Sequence, residues 1–161
     1  MAVVDIFLKL DGIKGDSTVI GHQDEIELQA YSWGETNTGS HVASGAGAGA
    51  GRVSMQDFHF TARVSKASPT LMQACASGKH IKDGQVTLRK AGEKPVEFLF
   101  YKFDTVVITS VQDAGAAGDL PVEQVSFAFA KIQVEFKEQK ADGSLGSSIN
   151  FAWNLQANRQ T

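Results

Sequence analysis

Pro121-Val122-Glu123-Gln124-Val125-Ser126-Phe127-Ala128-Phe129-Ala130-Lys131-Ile132-Gln133-Val134-Glu135-Phe136-Lys137-Glu138-Gln139 is the longest run in the chain in which large apolar side chains recur at every second position. A period of two marks a β-strand with one apolar face. The phase changes partway. Val125, Phe127 and Phe129 hold one parity, and Ile132, Val134 and Phe136 hold the other. A strand keeps both sets on one face only if an extra residue intervenes. The run therefore predicts a β-bulge near Ala130-Lys131, or a strand that changes sheets there.

Outward from this run the same period recurs. Upstream lie Gln85 to Lys90 and Pro95 to Asp104, separated by the turn Ala91-Gly92-Glu93-Lys94. Thr105 to Val111 is β-rich, and Asp113 to Gly118 is a Gly/Ala loop. Downstream, Ile149, Phe151, Trp153 and Leu155 share one face of a final strand. At the start, Val4, Ile6, Leu8 and Leu10 alternate, followed by the turn material Asp11-Gly12 and Lys14-Gly15-Asp16-Ser17. Ile26 to Trp33 is the second strand. In Arg52 to Val64, Phe58, Phe60 and Ala62 share a face, and the opposite face carries Asp57, His59, Thr61 and Arg63. That mixed face suits water, a lumen or a partner.

One helix is predicted, over about 69–77. Ser68 serves as N-cap, Pro69 takes the first helical position, and Gly78 ends it. A helix of about ten residues is not stable alone in water. It docks on the sheet through Leu71, Met72 and Cys75. Many strands, one short helix and no βαβ rhythm predict a mostly β domain, a barrel or a sandwich.

Between two strands stands a long loop, about 34–51, ending in the alternation Gly45-Ala46-Gly47-Ala48-Gly49-Ala50-Gly51. A loop this long in a compact domain is usually functional or disordered. It carries no phosphate-binding signature, because its glycines lead into a strand and no Lys-Ser or Lys-Thr follows. It is expected to be an assembly arm.

Composition narrows the function. The 161 residues fit one domain, and ten Phe supply core volume. A net charge of −3 gives no electrostatic case for nucleic acid or an anionic membrane. The single cysteine, Cys75, excludes an intrachain disulfide and reads as a small core residue. No apolar run reaches the ~20 residues that span a bilayer, and Met1 to Asp5 does not begin a secretory signal. His22, His41, His59 and His80 lack metal-ligand spacing and are expected at surfaces or edges. Ser77-Gly78-Lys79-His80 reads as a helix-capping turn, and Asp57 and Asp104 as edge or lumen positions. No catalytic residue, metal site or cofactor is expected, and the chain is not read as an enzyme.

The run Ala2-Val3-Val4-Asp5-Ile6-Phe7-Leu8-Lys9-Leu10 with Gly12-Ile13-Lys14-Gly15-Asp16-Ser17 resembles the opening of the haemolysin-coregulated proteins (Hcp). So do Ser32-Trp33-Gly34 before the Gly-rich arm, Val53-Ser54-Met55-Gln56-Asp57-Phe58, and Ser68-Pro69-Thr70-Leu71-Met72-Gln73-Ala74-Cys75-Ala76-Ser77-Gly78-Lys79-His80. Thr87-Leu88-Arg89-Lys90-Ala91-Gly92, Gln139-Lys140-Ala141-Asp142-Gly143-Ser144 and Trp153-Asn154 complete the match. The resemblance implies a single-domain β-barrel of two sheets over residues 1–161, with a flanking helix and no C-terminal toxin extension. It implies a subunit of the type VI secretion inner tube, with hexameric rings stacked inside a contractile sheath behind a spike. Ring lumens of the family carry small effector proteins. The chain is then cytoplasmic before firing and secreted without a cleaved signal peptide. A phage or phage-like tail-tube protein is the alternative.

Two sites are expected on this basis. Tyr31 and Trp33 share a face suited to the core, which leaves Ala30 and Ser32 for a lumen wall that contacts effectors. Gly39, Ser40, His41, Val42, Gly45, Gly47, Gly49 and Gly51 are expected to form the ring-stacking loop, where glycines allow close backbone approach.

Overall fold

The computed structural model describes residues 3–39 and 52–161. Its strands are β1 (Val4–Leu10), β2 (Ile26–Ser32), β3 (Glu35–Asn37), β4 (Val53–Met55), β5 (Phe58–Arg63), β6 (His80–Lys90), β7 (Val96–Ala114), β8 (Val122–Gln139), β9 (Leu145–Asn154) and β10 (Arg159–Gln160), with one described helix, α1 (Ala67–Ser77). The main sheet runs β10-β9-β8-β5-β2-β1-β6-β7, and β7 pairs back onto β8. Six strands thus close into an antiparallel barrel, which leaves no free edge around its wall. β9 and β10 extend from β8 outside the barrel, and β3 and β4 form a separate two-stranded sheet.

The barrel is filled by the apolar parity of each strand. Leu8, Phe58, Phe60, Val86, Phe103, Phe127 and Ile132 are buried in one cluster. Its centre is aromatic. Phe103 lies 5.0 Å from both Phe127 and Phe129, and Phe58 lies 5.2 Å from both Phe103 and Phe127. Such offset and edge contacts add to burial of the rings themselves. Tyr31 and Tyr101 close the cluster with a hydroxyl–hydroxyl bond of 3.1 Å. Burial, then the Tyr31 hydroxyl, hold the Tyr101 phenol above its usual range.

The phase change in β8 is real. Phe127 and Phe129 are buried at odd positions and Ile132 at an even one. β7 changes with it, from Phe103 to Val106 and Ile108, across Thr105 at φ 54°. Because both strands shift at one level, their register holds, with Asp104 opposite Lys131 and Val106 opposite Phe129. β8 also changes neighbour here. It pairs with β5 as far as Phe127 and with β9 from Lys131 onward.

Several boundaries differ from expectation. Pro95–Asp104 and Thr105–Val111 merge into the 19-residue β7. Arg52–Val64 is broken into β4 and β5 at Gln56-Asp57. The expected loop begins with a strand, since β3 pairs with β4 and the Gln56 N–H bonds the Gly34 carbonyl at 2.9 Å. The helix begins earlier, with Lys66 at its N-cap. Ser68 is inside the first turn, where its Oγ accepts from the Ser65 N–H at 2.9 Å while Ser65 Oγ accepts from the Ala67 N–H at 3.2 Å. This reciprocal pair satisfies amides that the helix leaves open. Pro69 is tolerated because the first-turn N–H groups have no intrahelical partner. Gly78, at φ 65°, ends the helix as expected.

Candidate functional site

Four strands of the barrel, β2, β5, β8 and β7, present one polar face. Cross-strand register aligns two rows on it. Ser32, His59, Ser126 and Ser110 stand side by side in one, and Ala30, Thr61, Gln124 and Gln112 in the other. Neither row contains a Lys, Arg, Asp or Glu. Members of both rows line a hollow of about 670 Å³.

Two bulges create this face. In β2 the even residues Ile26 and Leu28 point inward, and the register shifts between Leu28 and Ala30. Past that shift, Ala30 and Ser32 are exposed while Tyr31 packs on the core. In β7 the even residue Ile108 is buried, and the register shifts between Ile108 and Ser110. Ser110 and Gln112 then face outward. An extra residue in each outer strand turns the following side chains to the other side of the sheet.

The bulge in β7 also places Thr109 and Ser110 around one hydroxyl. Ser126, 4% exposed, lies 2.8 Å from Thr109 Oγ1 and 2.6 Å from Ser110 Oγ. Thr109 Oγ1 donates to Asp57 Oδ2 at 2.7 Å. Each hydroxyl has one proton, so the direction follows: Ser110 donates to Ser126, Ser126 to Thr109, and Thr109 to Asp57. Of these groups Ser110 lines the hollow, and its oxygen can still accept a hydrogen bond there.

One carboxylate is fully buried on the opposite side of β8, toward Ser68 of α1. Glu123 is 0% exposed, and no hydrogen bond of good geometry reaches either oxygen. Burial raises its pKa, the nearby Ser68 hydroxyl partly opposes this, and the charge of Asp113 adds to it.

Ala30 and Ser32 thus share the hollow. In the expected stacking loop, Gly39 is half-buried at φ 61°, its N–H bonded to Asn37 Oδ1 at 3.1 Å. Ser40, His41, Val42, Gly45, Gly47, Gly49 and Gly51 lie outside the described residues. On the helix, Leu71 is buried and Cys75 packs against the core, but Met72 is 41% exposed. Ala67, Ser68 and Ala74 complete the docked face instead. One residue past Leu71 is about 100° around the helix, which turns Met72 outward. Among the histidines, His59 and His80 are exposed as expected, and His41 lies outside the described residues. His22 is not at a surface. It is buried between Glu25, three residues on, and Glu97, 75 residues away, a pairing that metal-spacing rules do not detect. Among the described residues, no group of three or more His, Cys, Asp and Glu is arranged to hold a metal, and no helix is long and apolar enough to cross a membrane.

Residues 7–136 match the protein-family model described as type VI secretion system effector, Hcp. Protein hcp1 of Pseudomonas aeruginosa is 42% identical over 160 residues, covering 98% of each chain. Two solved structures superpose closely. One, a type six secretion system protein, gives a TM-score of 0.92 at 28% identity, covering 99% of this chain and 100% of the other. The second, Hcp1 from Salmonella typhimurium, gives 0.81 at 31% identity, covering 100% of both.

Proposed function

This chain belongs to the Hcp family of type VI secretion proteins, and from that premise we propose that it is a structural subunit of the secretion tube. Subunits close into a hexameric ring, and rings stack into a tube that is expelled by a contracting sheath behind its spike. The chain waits in the cytoplasm and leaves with the tube. It performs no catalysis. The observation that carries this reading is a likeness to Hcp proteins along almost the whole chain.

The polar face on β2, β5, β8 and β7 is the lumen wall in this reading. Its rows bear hydroxyl and amide groups and one imidazole, so they wet well and grip a protein cargo weakly at many points. Ser32 and Ala30 lie within it as effector contacts. A closed ring lets every subunit bury the same two patches, and the arm between β3 and β4 links one ring to the next.

Native mass spectrometry of the purified chain, followed by negative-stain imaging, tests the proposal. Hexameric mass and annular particles are expected. A dilution series that shows monomer alone at micromolar concentration overturns it.

A further inference from the structure

The loop joining β1 to β2 folds over the outer side of β1. Gly15 and Ser17 donate backbone N–H bonds to the carbonyls of Asp24 and Glu25, at 2.8 and 3.1 Å. A Cβ on Gly15 would collide with the Glu25 carbonyl, so only glycine allows this approach. At the far end, Val19 to His22 makes a turn closed by the His22 N–H on the Val19 carbonyl at 2.8 Å, with Gly21 at φ 86°. Ile20 projects from it, 88% exposed.

His22 holds the loop down. Its ring, 6% exposed, stacks on Phe7 with centroids 4.2 Å apart and planes 3° apart. Nδ1 meets Glu25 Oε2 at 2.6 Å, and Nε2 meets Glu97 Oε1 at 2.7 Å. Glu25 is in the loop itself, but Glu97 is in β7, in the hairpin with β6. One ring therefore bridges two segments 75 residues apart.

Hydrogen-bond counting determines the charge state this geometry needs. An ionised carboxylate only accepts, and a neutral imidazole has one N–H. Two ionised carboxylates on the two ring nitrogens require the imidazolium. The other charged groups on this face are Asp5 and Lys9 in β1, Glu27 in β2, Arg89 in β6 and Lys102 in β7, with Asp24 in the loop. Arg89 is bound to Asp5 at 3.0 Å, with its guanidinium 5.2 Å from the Phe7 ring centroid. Glu27 stands opposite Phe7 in register. Asp24 pairs with Lys66 at 3.4 Å and Lys14 at 4.0 Å.

We propose that His22 is a proton-dependent latch: as the imidazolium it ties the β1–β2 loop to the β6–β7 hairpin over Phe7, and on losing one ring proton it lets go of the hairpin. The bond lost is the one to Glu97. Its side chain is 43% exposed and can turn to water, whereas that of Glu25 is 10% exposed and cannot. Release uncovers Phe7 and frees the turn that carries Ile20, so the protonation state of one buried ring alters this face of the subunit.

The test uses the full chain, ¹⁵N-labelled, with His22→Gln to assign the ring signals. Where the loop is protected, the His22 ring is expected to carry a proton on both nitrogens. As the ring becomes neutral on raising the pH, amide exchange at Gly15, Ser17 and Asp24, corrected for intrinsic base catalysis, is expected to accelerate about tenfold, with β5 amides unchanged. In Glu97→Gln the carboxamide can donate to a neutral ring, so the loop is expected to stay protected across the same range. A neutral single tautomer in the protected loop overturns the proposal. So does loop exchange that ignores ring neutralisation, or a Glu97→Gln variant whose loop responds to pH as the parent does.

Discussion

Glu123 and Ser32 show how differently single residues act in this barrel. Glu123 is a fully buried carboxylate whose pKa is raised chiefly by burial. A group with a raised folded-state pKa contributes stability at low pH, and that contribution is lost as pH rises through the folded value. The parent should therefore weaken at this position as pH rises above the ordinary Glu range, about 4.3, towards the raised folded value. Glu123→Gln removes the charge, so its melting temperature relative to the parent is expected to improve as pH rises. A difference that shrinks or reverses over that range would show that Glu123 is charged and well held in the fold. Ser32, by contrast, is exposed on the hollow and packs nothing. Ser32→Gln is expected to leave the ring assembled and to reduce cargo retained on purification. Unchanged retention of every co-purifying protein removes Ser32 from the lumen contacts.

At the level of elements, bulges and one short helix decide what faces where. Leu71 is 0% exposed beneath α1, and Met72 beside it is 41% exposed. Leu71→Ala leaves a cavity under a helix that is not stable unsupported, and should cost about 2–5 kcal/mol. Met72→Ala empties no enclosed space and should cost less than about 1 kcal/mol. Urea unfolding at one fixed protein concentration separates the two, and equal losses would mean that the helix docks through a different face. The shifts at Leu28/Ala30 and Ile108/Ser110 act on a larger scale, since each turns the next outward residues of a strand onto the polar face.

For the whole molecule, the barrel and the proposed arm have separate tasks. The described core draws its large side chains from β1, Ile13 in the loop after it, β2, α1 and β5 to β8, and residues 43–50 are only Ala, Ser and Gly, with little apolar surface to add. Deleting residues 43–50 is therefore expected to preserve folded rings, judged by circular dichroism and native mass, and to abolish stacking and export. Each docked arm gives up chain entropy, so single contacts are weak. Many arms that must release together still hold two rings firmly. Tubes and secretion from the shortened chain would refute a stacking role, and failure to fold would make the arm part of the barrel.

The sequence by itself determined the mostly β class, the short helix with Gly78 at its end, the phase change after Phe129, and the family. These are local or periodic signals, carried by residues two to four apart. It also placed Ala30 and Ser32 opposite Tyr31, because parity survives within a strand segment. Tertiary structure alone decided the rest. Period two identifies a face but not what covers it, so the bulges at Gln29 and Thr109, the aligned polar rows and the exposure of Met72 emerged only when strands paired. The His22 bridge is the clearest case. Glu25 is near in sequence, but Glu97 reaches the ring only because β1 pairs with β6 and β6 with β7. Contacts set by closure of a barrel leave no spacing for a sequence to show.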